Sequence, residues 1–343
     1  MNPIDVVYTW VENTPEHDNL RRYFMQKDGK KEATDNGVNR YTDNGELKYS
    51  IRSVYNFAPW VRQIFIIADD SQSPAWLRAG SENCSIPVKV IPHSLLFGPQ
   101  YKAHLPTFNS QAIEVHLHRI PGLSEHFIYL NDDMFFGSPC HPSDFFTSSG
   151  LPKYDLCGGF LPTGKIRRSM SKHAMAWVNN GKLLDALFPK RPRRRRYPAH
   201  QAVPLLKSTF QAAWDNPRVR QLAERTSASR FRRTYNIYFI GFLLYWGIYA
   251  RKAAKQKHLG TYHSLADHTN FKAIFKNLLS SRPKLFCVND VLKKNRAKGE
   301  LYLKGFLKVY FPTASIAERD VHAPDRSLLA PPAAGTNIVA GFG

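Results

Sequence analysis

Cysteine is scarce in this chain. Cys84, Cys140, Cys157 and Cys287 are spread over 343 residues with no Cys-x-x-Cys pair. That spacing argues against both a disulfide framework and a zinc site, and reduced thiols are the expectation. Acids are short as well: 27 Asp and Glu against 48 Lys and Arg leave a formal charge of +21. Such an excess calls for an anionic partner, whether nucleic acid, phospholipid, phosphorylated polymer or nucleotide-linked substrate. The common phosphate-cradling words are missing, since neither G-x-x-x-x-G-K-[ST] nor G-x-G-x-x-G occurs. No basic leader with an apolar core opens the chain, so no signal peptide is expected and the cytoplasm is the expected compartment. No apolar run reaches the roughly 20 residues that span a bilayer. The most apolar uncharged stretch, TYNIYFIGFLLYWGIYA from Thr234 to Ala250, is expected to be a buried helix. Its flanks, Arg230, Arg232 and Arg233 before it and Arg251, Lys252, Lys255 and Lys257 after it, would suit peripheral contact with an anionic inner-membrane surface.

What is present reads as a folded α/β chain. Ile4–Val11, Gln63–Ala68, Val88–Ile91 and His126–Leu130 are short β-branched or apolar runs that suit strands covered on both faces. Glu46–Ala58 places Leu47, Ile51, Val54, Tyr55 and Ala58 on one helical face, with Asp43 as a capping-box-like start and Pro59 as the stop. A second helix is expected after Asn109 or Ser110, ending at Pro121-Gly122. Helical patterns dominate from about 200 to 310. The order of elements argues for a largely parallel sheet.

HFIYLNDDMFFG, His126–Gly137, is the most informative segment. Carboxylates that close a buried strand need a cation, a cationic substrate or hydrogen bonds to offset their charge. In extended chain Asn131 and Asp133 face one way and Asp132 the other, so the three converge only if the strand bends. On such a bend they can hold a divalent cation together with diphosphate oxygens. A turn whose Asn and Asp bond local amides is the alternative. Asp5 is as readily a solvated strand end as part of a site. Asn109 and Ser110 would cap a helix whose start also suits an anion, and Glu114 lies one turn further on. His200 is one of 13 histidines, the residue type suited to general-base work near neutral pH. Arg232 and Arg233 can clamp phosphate or simply be solvated charge. KRPRRRR, Lys190–Arg196, is expected to be an exposed polyanion-binding loop. Without interleaved aromatics it gives no support to recognition of nucleic-acid bases.

Together these words resemble those of the Stealth family. IDVVYTWV, ELKYSIRSVYNFAPWVRQIFIIADD and LPTFNSQAIEVHLHRIPGLSEHFIYLNDDMFFG resemble its first and second conserved regions. YPAHQAVPLLKS and FRRTYNIYFIGFLLYW resemble the third, and FCVND at Phe286–Asp290 the fourth. The likeness is dense over residues 3–137 and thin over 196–290. Stealth proteins are hexose-1-phosphate transferases, among them bacterial capsule polymerases. The family also includes the catalytic part of the enzyme that places N-acetylglucosamine-1-phosphate on lysosomal glycoproteins.

The resemblance implies transfer of a sugar-1-phosphate from a UDP-sugar, with UDP-N-acetylhexosamine the expected donor, to a hydroxyl of a growing anionic polysaccharide. UMP leaves and a divalent ion, Mg2+ or Mn2+, takes part. It assigns Asp5, Asn109, His200 and Arg232 to catalysis, and Asn131, Asp132 and Asp133 to the metal. Glu46, Lys48, Arg52, Ser110, Glu114, Asn289 and Asp290 fall to substrate. Two departures stand out: Glu12 where Asp or Asn is common, and Tyr235 and Asn236 where some relatives carry acids. The implied architecture is α/β, a Rossmann-like or glycosyltransferase-A-like core with a mostly parallel sheet and a C-terminal helical region. Residues 1–150 would bind the nucleotide sugar, 151–325 would complete the active site and acceptor surface, and 326–343 would be a flexible tail. In the implied reaction His200 takes the acceptor proton and Arg232 steadies the phosphoryl oxygens. An ordinary glycosyltransferase releasing UDP and a non-catalytic polyanion binder are the rivals.

Overall fold

The computed structural model describes residues 2–27, 43–156, 158–256, 258–265, 270–289 and 296–319. Asp290, Cys157, Lys257 and the expected tail lie outside the described residues. The strands are β1 (Ile4–Thr9), β2 (Gln63–Ala68), β3 (Val88–Pro92), β4 (His126–Asn131), β5 (Met134–Phe136), β6 (Lys153–Tyr154), β7 (Val203–Leu206), β8 (Ala254–Lys255), β9 (Gly260–Ser264) and β10 (Leu285–Asn289). The α-helices are α1 (Pro15–Lys27), α2 (Glu46–Phe57), α3 (His93–Phe97), α4 (Ser110–Glu114), α5 (Lys172–Leu187), α6 (Lys207–Asp215), α7 (Pro217–Ser227), α8 (Phe239–Tyr249), α9 (Phe271–Ser281) and α10 (Arg296–Tyr310).

The main sheet has the order β3-β2-β1-β4-β7, parallel except for β7, which runs against β4. The 3-2-1-4 order is that of a doubly wound α/β fold. Both faces are covered, which explains the continuous apolar runs. Val7, Phe65, Phe127 and Tyr129 point to one core, with Phe210, Phe239 and Phe242. Val6, Tyr8, Ile64, Ile66 and Ile128 point to the other, with Leu47, Ile51 and Val54 of α2. A smaller sheet, β5-β10-β9, adjoins the first. Its Phe135 and Phe286 stack at 4.9 Å. Chain beyond residue 150 therefore enters both sheets, through β7 in one and β9 and β10 in the other.

The four expected strands are present. Helix α2 starts differently from its expected cap: Gly45 is the N-cap, in left-handed conformation. Asp43 instead accepts from Gly45 N (2.7 Å) and Trp10 Nε1 (2.8 Å). The apolar stretch at 234–250 forms α8, eleven residues and about 16 Å long at 1.5 Å per residue. It is apolar all round because it is packed into the core on the sheet. Among the described residues no helix is long and apolar enough to cross a membrane.

Candidate active site

The chain leaves the main sheet at Asn131, turns through Asp132-Asp133 and re-enters as β5, which pairs antiparallel with β10. The bend that the acidic word required is this passage between two sheets. Asp133 is held there from both sides: its carbonyl accepts from Val288 N (3.1 Å) and its Oδ2 from Asn289 Nδ2 (3.2 Å). Its Oδ1 is buried with no hydrogen-bond partner. His200 and Cys287 complete the corner. One ligand atom from each of Asp133, His200 and Cys287 lies within 4.8 Å of the others. His200 is exposed, and the Tyr262 ring stands edge-on to it at 5.3 Å. Cys287 and Asn289 are two apart in β10 and so share a face, and Tyr262 is the register partner of Cys287. His200, Asp133 and Asn289 were separate words in the sequence. Cys287 and Tyr262 were not singled out, and only the i, i+2 spacing within FCVND hints at the cysteine.

A second group surrounds the Tyr129 hydroxyl, which lies 2.9 Å from Thr9 Oγ1, 3.0 Å from Asn131 Oδ1 and 3.4 Å from Glu114 Oε1. Asn131 thus accepts from Tyr129, two residues back on its own strand. Arg232 Nη2 donates to Ser110 Oγ (2.8 Å). Glu114 is buried, and loss of water pushes its carboxyl up to about 7, against the charge of Arg232 and the hydroxyls of Tyr129 and Ser110. One member of each group, His200 and Tyr129, lines a cavity of about 100 Å³, together with Met134, Tyr197, Tyr238 and Gly241 among others. Gly241 admits the indole of Trp177 there, since a Cβ would fall 2.3 Å from that ring.

Asp5, Asn109, Arg52 and part of the arginine run have partners within the fold. Asp5 sits at the opposite end of β1, in register with Phe127 while Thr9 faces Asn131. Four residues of strand, roughly 13 Å, separate it from the acidic turn. It accepts from Arg62 Nε (2.8 Å), Arg62 Nη2 (2.6 Å) and Ser124 N (2.7 Å), so it fastens a buried strand end and cannot share an ion with Asp133. Asn109 is fully buried and positions other residues. Its Oδ1 accepts from Gln111 N (3.2 Å) as the cap of α4, and its Nδ2 donates to Ser229 O (2.9 Å) and Asn236 Oδ1 (3.1 Å). It thereby ties α4 to the loop that carries Arg232, and Asn236 receives that tie. Arg52 makes a two-pronged pair with Glu318 (2.7 Å each) and donates to Phe311 O (2.8 Å), clamping the C-terminal segment. The arginine run is not uniformly exposed: Arg195 is buried against Asp185 (2.5 Å) and Arg191 Nη2 donates to Tyr249 O (2.6 Å).

Glu46 is buried and accepts from Asn44 Nδ2 (3.2 Å). Burial also lowers the Lys48 ammonium below its ordinary value, and it lies over the Tyr49 ring at 5.2 Å. Asp132 occupies the turn, partly exposed.

The Glu114 carboxyl carries a measurable consequence for stability. A folded-state value of about 7 lies above the ordinary 4.5, so between these pH values the folded protein binds more protons than the unfolded. Stability therefore falls as pH rises from 5 to 8, by on the order of 3 kcal/mol from this group. In metal-free protein Glu114→Gln should flatten that slope. Thermal unfolding at several pH values checks it, and an unchanged slope refutes the assignment.

The Stealth protein CR2 family, conserved region 2, matches residues 40–154. A capsular polysaccharide phosphotransferase of Neisseria meningitidis serogroup B is 34% identical over 338 residues, covering 90% of this chain and 83% of its own. The capsular polysaccharide phosphotransferase fcs1 of Haemophilus influenzae is 32% identical over 316 residues, covering 90% and 84%. Among solved structures, the galactosyltransferase LgtC in complex with donor and acceptor sugar analogs is 9% identical. It covers 89% of this chain and 95% of its own at a TM-score of 0.42.

Proposed function

This chain belongs to the Stealth family, and on that premise we propose that it is a capsular polysaccharide phosphotransferase working at the Asp133–His200 corner. The donor is a UDP-sugar, an N-acetylhexosamine derivative in this reading, and the acceptor is a hydroxyl of the growing polysaccharide. The acceptor oxygen forms a bond to the phosphorus of the sugar-1-phosphate, the bond from that phosphorus to the UMP oxygen breaks, and UMP leaves. The C1–O bond of the sugar is untouched, so its anomeric configuration is retained.

His200 is the base that takes the hydroxyl proton. It is exposed and lines the cavity, where an acceptor can reach it. In this reading Arg232, which donates to Ser110, balances charge on the transferring phosphoryl oxygens. The buried, unpartnered oxygen of Asp133 is the observation that carries this reading, because a desolvated carboxylate oxygen calls for a cation. Asp133 with the side-chain oxygen of Asn289 would hold a divalent ion, and oxygen donors fit Mg2+ or Mn2+ better than the Cys287 thiol does. Such an ion, when bound, supplies positive charge against the donor's diphosphate.

The test is the identity of the nucleotide released. Incubating the protein with UDP-sugars, Mg2+ or Mn2+ and a short capsule oligosaccharide should give UMP, with a phosphodiester signal in the phosphorus NMR of the polymer. Release of UDP would make it a glycosyltransferase. No turnover with any donor, alongside retained polymer binding, would leave only a polyanion-binding protein.

A further inference from the structure

Between Leu156 and Trp214 the chain carries twelve lysines and arginines and a single acid, Asp185. Nine of these charges fall into two classes. Arg191, Arg195 and Lys172 are drawn into the fold, and Arg195 takes the one acid. Arg193, Arg194 and Arg196 stay exposed, as do Lys165, Arg167 and Arg168, and none of the six has an ion pair among the described residues.

Two of these arginines, Arg194 and Arg196, lie on a small built ledge, and exposed Arg193 directly precedes them. Gly158–Leu161 runs antiparallel to Arg195–Tyr197, through Gly158 N to Tyr197 O (3.2 Å), Tyr197 N to Gly159 O (2.8 Å) and Leu161 N to Arg195 O (2.8 Å). On it Phe160, 44% exposed, carries the Arg194 guanidinium at 3.5 Å and the Arg196 guanidinium at 5.0 Å from its ring centre. Stacking fixes a guanidinium plane while leaving N–H donors for an anion. Two cations on one ring, with no salt bridge to either among the described residues, repel each other, and an anion between them would relieve that repulsion. The strand of the ledge then continues as Tyr197, Pro198, Ala199, His200 and Gln201, which are a wall of the cavity.

We propose that this ledge is the track for an anionic acceptor polymer, sugars joined through phosphodiesters, whose phosphates meet Arg193, Arg194 and Arg196. Its growing end reaches the cavity beside His200. The direction of the chain rests on the transferase reading above; the binding of a phosphodiester polymer does not. Continuity with the cavity favours a polymer over a membrane surface. The guanidinium groups over Phe160 also set cations, rather than a bare apolar ring, toward the partner.

The test measures binding with no donor present. Poly(glycerol phosphate) of about twenty repeats is titrated into the full chain by calorimetry over a range of salt. Glycerol 1-phosphate and neutral dextran are the controls. Wild-type protein should bind the polymer far better than either control, with affinity falling steeply as salt rises. R193S/R194S/R196S should weaken binding about tenfold or more and make the salt slope shallower. Lysines at the same three places should restore only part of it, because they cannot stack and fork. The melting temperature of each variant is compared with wild type, and R195S is the control expected to lower it. Unchanged polymer affinity in the serine variant overturns the proposal. So does a variant that keeps the polymer but loses binding to phosphatidylglycerol vesicles, which would assign the ledge to a membrane. If wild type released no UMP yet bound the polymer through these arginines, the ledge would stand and the transferase reading would fall.

Discussion

His200→Ala should lower turnover about 10²–10⁴-fold, the range typical of a lost general base, and leave the melting temperature where it was. The second half follows from exposure: the ring is at the surface and rests edge-on against Tyr262 without filling a core position. The proximity of Asp133 and Cys287 offers His200 a competing role as a metal ligand. A ring nitrogen bonded to the ion cannot also take the acceptor proton, so the two roles separate in a titration. If His200 is the base, saturating Mn2+ does not rescue His200→Ala, and the metal concentration giving half-maximal rate is unchanged. If it is a ligand, that concentration rises and excess ion recovers much of the rate. Asp133→Asn should show the ligand pattern. Turnover of His200→Ala within about tenfold of wild type at saturating metal would remove His200 from the chemistry.

How far the site could be read from the chain depended on the range of each interaction. β1, β2 and β4 were legible because a strand buried on both faces writes a continuous apolar run. Helix α2 was legible because one apolar stripe faces the sheet. Helix α1 was not: the residues it buries are His17 and Arg21, which leave no hydrophobic period. The small sheet was hidden for another reason. β5 is three residues, β9 is GTYHS, and their partner β10 lies about 150 residues from β5, so no local pattern marks the pairing. The same distance hid the meeting of Asp133 with Asn289, although both words were in view. The arginine run shows the limit most plainly. Seven residues of basic sequence look alike until Asp185 captures Arg195 and Phe160 props Arg194 and Arg196.

Asp5→Ala should cost stability and spare catalysis. The carboxylate is fully buried at the entrance of the central strand, and three donors converge on it, two from Arg62 and one from the Ser124 amide. Hydrogen bonds to a charged group contribute about 1.5–3 kcal/mol when buried. The Arg62 side chain is 40% exposed, so water screens and replaces part of its share. The Ser124 amide, part-buried, makes the third bond. It begins the turn that feeds β4, so its loss loosens the strand that ends in the acidic bend. A net loss of about 2 kcal/mol is expected, and a fall in melting temperature of several degrees. Catalysis is spared because about 13 Å of strand separates Asp5 from Asn131. Asp5→Asn keeps the shape and one acceptor and should recover part of the stability. Unfolding curves and initial rates on the same preparations decide the point. If Asp5→Ala melts normally and loses turnover, the residue belongs to the reaction and the site must reach both ends of β1.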